Sequence, residues 1–171
     1  KVHKPKRRHI AWEKLKELAF RDGRIHIIEE TLSRSDLLAL YQCCDSFLSL
    51  HRAEGFGRGI AEAMQLGLHV ITTGYSGNVD FCYPPYVDLV NYKLVKVKRG
   101  QYPFGDNQVW AEADINHAAK LMLDFFNNAN VVKGNDDWNR FSAKNVGWRY
   151  KTKLDEISES NKPHDYDDYG L

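Results

Sequence analysis

Between His51 and Asp80 the chain reads H-R-A-E-G-F-G-R-G-I-A-E-A-M-Q-L-G-L-H-V-I-T-T-G-Y-S-G-N-V-D, and this stretch narrows the fold more than any other. The apolar run Phe47–Leu50 leads into it and reads as a strand buried in a parallel sheet. Glycines at alternate positions, Gly55, Gly57 and Gly59, then interrupt the run. A helix follows to about Gly67, a second apolar run occupies Val70–Thr73, and another glycine turn spans Gly74–Gly77. Strand, glycine turn, helix and strand make a βαβ unit, whose glycines let main-chain N–H groups approach a ligand without an intervening Cβ.

The helix after the turn carries the binding chemistry. Its first N–H groups have no intrahelical acceptors and its dipole is positive there, so phosphate is the natural guest. Glu54 lies just before the turn and Glu62 inside the helix, so one carboxylate is expected at the strand end and the other beside it on the helix. Such a pair suits the hydroxyls of a sugar and a ribose, with amides holding the diphosphate between them. A nucleotide sugar has that shape.

The full pattern, E-G-F-G from Glu54, E-A-M from Glu62, Gly67, Val70-Ile71 and Thr73, then Ser76-Gly77-Asn78 and Asp80, resembles the E-x7-E signature of retaining GT-B glycosyltransferases of the group 1 (family four) type. The resemblance is strongest over Ser49–Asp80 and weaker over roughly Lys1–Lys133. It implies an α/β, Rossmann-like three-layer domain with a mostly parallel sheet, the C-terminal, donor-binding half of a GT-B fold. It implies sugar transfer from a nucleoside-diphosphate sugar to a hydroxyl acceptor with retained anomeric configuration. By position, Glu54 takes the catalytic place facing the donor sugar and Glu62 binds the ribose. Amides of Phe56 and Gly57 meet the sugar and diphosphate. The resemblance implies no cofactor and no obligatory metal. It implies as partners the nucleotide-sugar donor, a glycan or lipid-linked acceptor, and an N-terminal acceptor domain that has no counterpart in these residues. The Arg and Lys with which members usually hold the diphosphate also have none. Arg58, where members commonly carry an aliphatic residue, is a substitute candidate. The isolated chain is therefore expected to be catalytically inactive and to bind nucleotide weakly or not detectably.

Composition sets the outer bounds. At 171 residues, 43% hydrophobic and 27% charged, the chain is globular and about one domain long. A net charge of +1 speaks against a dedicated nucleic-acid or acidic-surface binder. Three cysteines, Cys43, Cys44 and Cys82, give neither a disulfide framework nor metal-ligand spacing and fit a reducing compartment. No apolar run approaches the ~18 residues of a membrane helix. No signal-peptide pattern or initiator Met stands at Lys1, which raises the expectation of a piece of something longer. The expected location is cytoplasmic, with peripheral contact at the inner membrane face as an additional expectation.

The remaining segments read as follows. Lys1–Arg8, with five Lys or Arg in eight positions, is a solvated loop or an anion-contacting one. His9–Arg21 has the spacing of an amphipathic helix stopped by Gly23, and Arg24–Glu29 reads as a strand. The loop after it, Glu29–Leu32, offers Glu30 and Thr31 as nucleotide-base contacts by the family resemblance. Ser33 and Asp36 fit a capping box for a helix to about Cys44. His51 and Arg52 stand at a strand's C-terminal end, where side chains reach ligands. Glu62 has an ordinary alternative, an exposed ion pair with Arg58. Ser76, Asn78 and Asp80 offer polar groups at the same sheet edge, or cap the short helix that follows.

Val87–Val90 and Leu94–Val97 read as short strands or an edge extension, and Arg99–Gln108 as a loop. Trp110–Asp114 leads into a helix from Ile115, on which His117 is a surface residue. Trp138 to Ile157 reads as one or two helices interrupted near Gly147. The domain is bounded as 1–157, with 158–171 a disordered tail in which Asp165 and Asp167 are solvated charge. The glycines do not follow G-x-G-x-x-G, and no G-K-[ST] follows them, so dinucleotide and P-loop sites are set aside. A non-catalytic nucleotide-sugar module and a phosphorylase or epimerase on the same architecture stand as alternatives.

Overall fold

In the computed structural model, which describes residues 9–128 and 141–161, the two apolar runs around the glycine turn are adjacent parallel strands. They are β1 (Ser46–Ser49) and β2 (His69–Thr73), with Phe47 opposite Val70 and Leu48 opposite Ile71. β3 (Val87–Val90) lies parallel on the other side of β2, giving the order β1-β2-β3. The third strand is thus a full member of the parallel sheet.

Both faces of β2 are covered, which is why its sequence is apolar without alternation. Val70 and Val87 pack with Ile60, Ala61, Ala63 and Met64 of α3 (Arg58–Gln65), together with Leu68, Phe81 and Cys82. On the opposite face Ile71 and Val90 meet Ala118 of α4 (Ile115–Asn127), flanked by Leu50, Ala113 and Leu121. The result is an α/β arrangement of helix, parallel sheet and helix, the Rossmann-like layering that the resemblance implies.

The chain divides into two compact units, with the boundary between Leu40 and Tyr41. The first holds α1 (Ile10–Arg21), with Trp12 buried, and most of α2 (Arg34–Gln42). Ser33 Oγ accepts from the Asp36 main-chain N–H at 3.1 Å and donates to its carboxylate at 2.6 Å, the capping interaction that the sequence predicts. Between these helices no strand forms at residues 24–29. The Arg24 main-chain N–H donates to Asp22 Oδ1 and the Ile25 N–H to the Asp22 carbonyl. Those turn bonds divert the segment's first donors from any ladder. The Arg24 guanidinium also donates to both Asp22 carboxylate oxygens, which holds this exposed carboxyl below its usual range.

The second unit carries everything from Tyr41 onward. β4 (Tyr92–Lys96) and β5 (Val109–Ala113) form an antiparallel hairpin, with Leu94 opposite Ala111 and Lys96 opposite Val109. The sequence shows β5 only as the approach to a helix. The helix itself begins as expected, capped by Asp114, whose carboxylate accepts from the His117 N–H at 3.0 Å. α5 (Ala143–Ser160) runs unbroken through Gly147, and its last turn occupies residues 158–160, placed above in the tail. The absence of a Cβ at one exposed helix position is insufficient to end an eighteen-residue helix. Lys1–Arg8, Trp138, residues 162–171 of the tail, and with them Asp165 and Asp167, lie outside the described residues. No described helix is long and apolar enough to cross a membrane.

Candidate functional site

The chain leaves β1, turns through Glu54–Gly57 and enters α3 with Gly57 at φ 88. A residue with a side chain is strained at that angle. A Cβ there would also sit 3.2 Å from Ile60 Cδ1 and 3.4 Å from Asn78 Cβ. Gly57 provides no side-chain cap, and the first bond into the helix runs from the Ala61 N–H to the Gly57 carbonyl at 3.0 Å. The N–H groups of Arg58, Gly59 and Ile60 precede that bond and have no carbonyl of their own helix to donate to.

The turn is fastened to the loop that follows β2. The Glu54 N–H donates to Ser76 Oγ at 2.8 Å, and the Gly77 N–H donates to the Glu54 carbonyl at 3.1 Å. Approach is so close that a Cβ on Gly77 would collide with the Gly55 carbonyl. His51 braces the same junction from below. Its Nε2 lies 3.0 Å from the Tyr75 carbonyl, and its Nδ1 lies 3.4 Å from both Ser49 Oγ and Thr72 Oγ1. A carbonyl only accepts, so the network assigns a proton to Nε2. Asn78, fully buried, donates to the Thr73 carbonyl at 3.0 Å.

Glu54 is exposed in the turn, with its main chain fixed and its carboxylate outside the straps. Glu62 stands on α3 with its side chain only 15% exposed, its Oε1 3.6 Å from Arg58 Nη2. The expected alternative pairing with Arg58 is therefore present. At 82% exposure of the Arg58 side chain it is a weak contact. Phe56, still 45% exposed, lays its ring on Phe81 at 4.8 Å and near Phe141 at 6.1 Å.

Ser76 spends its oxygen on Glu54, and its main chain sits at φ 73, ψ −156, a region nearly reserved for glycine. His51 has both ring nitrogens against protein atoms, which makes it a brace of the turn in this structure. Asn78 belongs to the interior. Thr31 is exposed in the loop before α2 and belongs to the first unit.

Arg52 has a role that spacing does not reveal. Its Nη2 donates to Glu112 Oε2 at 2.7 Å, its guanidinium lies 4.5 Å over the Trp110 ring, and its carbonyl accepts from the Ala111 N–H at 2.9 Å. These contacts fasten the hairpin beside the turn, as do the rings of Tyr75 and Tyr92 at 5.1 Å. The available signal was the Trp110-x-Glu112 alternation of a strand, which a following helix start obscures.

Among the described residues, two buried polar atoms under these loops, Thr73 Oγ1 and Asn78 Oδ1, have no hydrogen-bond partner. Among the described residues no cluster of three or more His, Cys, Asp or Glu could hold a metal ion. A second paired histidine, His69, contacts Asp88 at 2.9 Å and stacks on Phe125 at 4.6 Å. It lies at the start of β2, the opposite end of that strand from the turn.

The arrangement joins a rigid glycine turn, an uncapped helix start and two carboxylates on one βα connection. It can hold an anion at the amides and hydroxyls at the acids. No curated protein matches the chain. Residues 14–83, from within α1 to just beyond the 3-10 turn at Gly77–Asp80, match the family model described as Glycosyl transferases group 1.

Proposed function

We propose that this chain is the donor-binding part of a retaining glycosyltransferase, taking a sugar from a nucleoside diphosphate for transfer to a hydroxyl acceptor. The observation that carries the reading is the Glu54–Gly57 turn, locked to Ser76–Gly77 over the uncapped start of α3. The match over residues 14–83 supports glycosyl transfer in general.

The chemistry follows from where charge moves. When the anomeric carbon parts from its phosphate oxygen, positive charge grows on the sugar ring and negative charge on the departing diphosphate. The N–H groups at the Gly57 turn and the start of α3 are fixed before substrate arrives, so they stabilise that negative charge with little reorganisation. Glu54 orients the sugar beside the reacting carbon, and Glu62 accepts from the ribose hydroxyls. Both tasks are positioning. Arg58, exposed and loosely paired, reaches for the diphosphate. His51 and Ser76 hold the turn, while Phe56 contributes its amide and rests its half-exposed ring on Phe81. The site uses no cofactor or metal, and the acceptor is a glycan or lipid-linked glycan held by a separate domain.

An NMR titration of the 171-residue chain with nucleoside diphosphates and their sugars tests this. Shifts are expected to concentrate on the amides of Glu54–Glu62, and Glu62→Ala should weaken them at least tenfold. Shifts that ignore this segment, or an unaltered Glu62→Ala titration, would overturn the reading. Glu54→Ala should leave nucleoside diphosphate binding intact and weaken only the added contribution of the sugar.

A further inference from the structure

We infer that the β4–β5 hairpin is a membrane-contact element whose partner is the headgroup region of an anionic phospholipid surface. The inference goes beyond the donor-site reading and uses none of the site's residues.

The hairpin exposes apolar groups where a soluble surface would carry polar ones. Phe104 is 99% exposed, Tyr102 66%, Leu94 55% and Val109 47%. Register explains how the two aliphatic residues share one face. Directly opposed residues lie on the same side of an antiparallel pair. Leu94 opposes Ala111 and Lys96 opposes Val109, so Leu94, Lys96, Val109 and Ala111 all point the same way. Lys96 lies on this face and Lys98 and Arg99 follow it, whereas Lys93, opposite Glu112, points to the other face; Asp106 is the single acid between Lys93 and Val109. Among the described residues none of these four cations forms an ion pair.

The tip is ordered, not a loose excursion. Lys98 and Gln101 exchange two bonds at 3.0 Å, from the Lys98 N–H to Gln101 Oε1 and from the Gln101 N–H to the Lys98 carbonyl. The Gly105 N–H donates to the Tyr102 carbonyl at 3.2 Å and the Gln108 N–H to the Gly105 carbonyl at 3.1 Å. Gly105 is packed so tightly that a Cβ would lie 2.7 Å from Val97 Cγ1. Phe104, at φ 56, is thereby held with its ring in solvent, in a conformation costly for a bulky residue.

Exposed aromatic rings and unpaired cations on one hairpin match an anionic bilayer. Its surface potential attracts each Lys or Arg, and aromatic rings settle at headgroup level. Neither signal suffices alone, and the two together give reversible attachment.

Co-sedimentation of the full chain with vesicles provides the test. It is expected to partition onto phosphatidylcholine vesicles containing phosphatidylglycerol and to leave pure phosphatidylcholine vesicles bare. The triple variant K96E/K98E/R99E should partition ~100-fold more weakly, and F104S about tenfold more weakly. F104W should show quenching by brominated lipid beyond that of the parent chain, which separates the hairpin from any contribution of Lys1–Arg8. Circular dichroism confirms that the variants fold, since all four positions are exposed. Undiminished partitioning of both charge and ring variants, or no added quenching in F104W, would overturn the proposal. So would an F104W emission change with soluble oligosaccharide or protein while vesicles give none. Vesicle binding requires no sugar transfer, so its failure leaves the donor reading standing.

Discussion

The Glu54 main-chain N–H and the Ser76 hydroxyl oxygen are 2.8 Å apart, and this bond ties the loop after β1 to the loop after β2. Ser76 makes it from a backbone conformation at φ 73 that glycine adopts freely and other residues adopt at a cost of ~1–3 kcal/mol. Two substitutions separate the strap from the strain. Ser76→Ala loses the bond and keeps the strain, so denaturant unfolding should show a loss of ~1 kcal/mol. Ser76→Gly loses the bond and relieves the strain, so it should be the more stable of the two. The reverse order would show that the hydroxyl is not what holds Glu54.

Gly77→Ala is expected to be worse than either. Its methyl group meets the main-chain carbonyl of Gly55, which is not the movable end of a side chain. The loops must part, at ~1–3 kcal/mol by the usual penalty for overfilling. Nucleoside diphosphate shifts at the Glu54–Gly57 amides should vanish in the same variant while the melting transition remains cooperative.

Arg58 distinguishes an ion-pair role from a ligand role. As a partner of Glu62 alone it is worth about 0.2–0.5 kcal/mol, and Arg58→Ala would barely alter binding. As a diphosphate contact it should cost about tenfold in affinity for a nucleoside diphosphate and much less for the uncharged nucleoside. Titrating both ligands against the variant checks this expectation.

Thr73→Val probes a buried hydroxyl that has no partner among the described residues. Replacing an unsatisfied polar atom by a methyl of the same shape removes a desolvation cost, so the melting temperature should rise, by up to ~1 kcal/mol of stability. A fall would reveal a water bridging Thr73 Oγ1 and Asn78 Oδ1.

Much of this architecture was legible beforehand, for identifiable reasons. Val70–Thr73 is apolar without alternation because helices cover both faces of β2, and that pattern is local. Gly57 announced itself because its angle excludes other residues. The straps were not legible, since Ser76 and Tyr75 are 22 and 24 positions from their partners Glu54 and His51 and nothing in either residue names its mate. Residues 24–29 misled for the complementary reason. Ile25, Ile27 and Ile28 have a strand's composition, but a strand also needs a neighbouring backbone, and Asp22 captures the first donors. β5 was hidden by the long connection from Lys96 to Val109, across which hairpin register cannot be counted. The spacing alone sets Glu54 and Glu62 around a glycine turn, whereas Arg52 and Glu112 are 60 positions apart and no local pattern links them.

α5 runs from Ala143 to Ser160 without one buried residue, and Trp148, Tyr150 and Leu154 are each more than 60% exposed. A helix in that position owes its persistence to its own backbone bonds, which in water are marginal even over eighteen residues. Its amides should therefore exchange with deuterium orders of magnitude faster than those of β2, through local opening that never disturbs the sheet. Slow exchange along α5 would mean that its aromatic face has found a cover in solution.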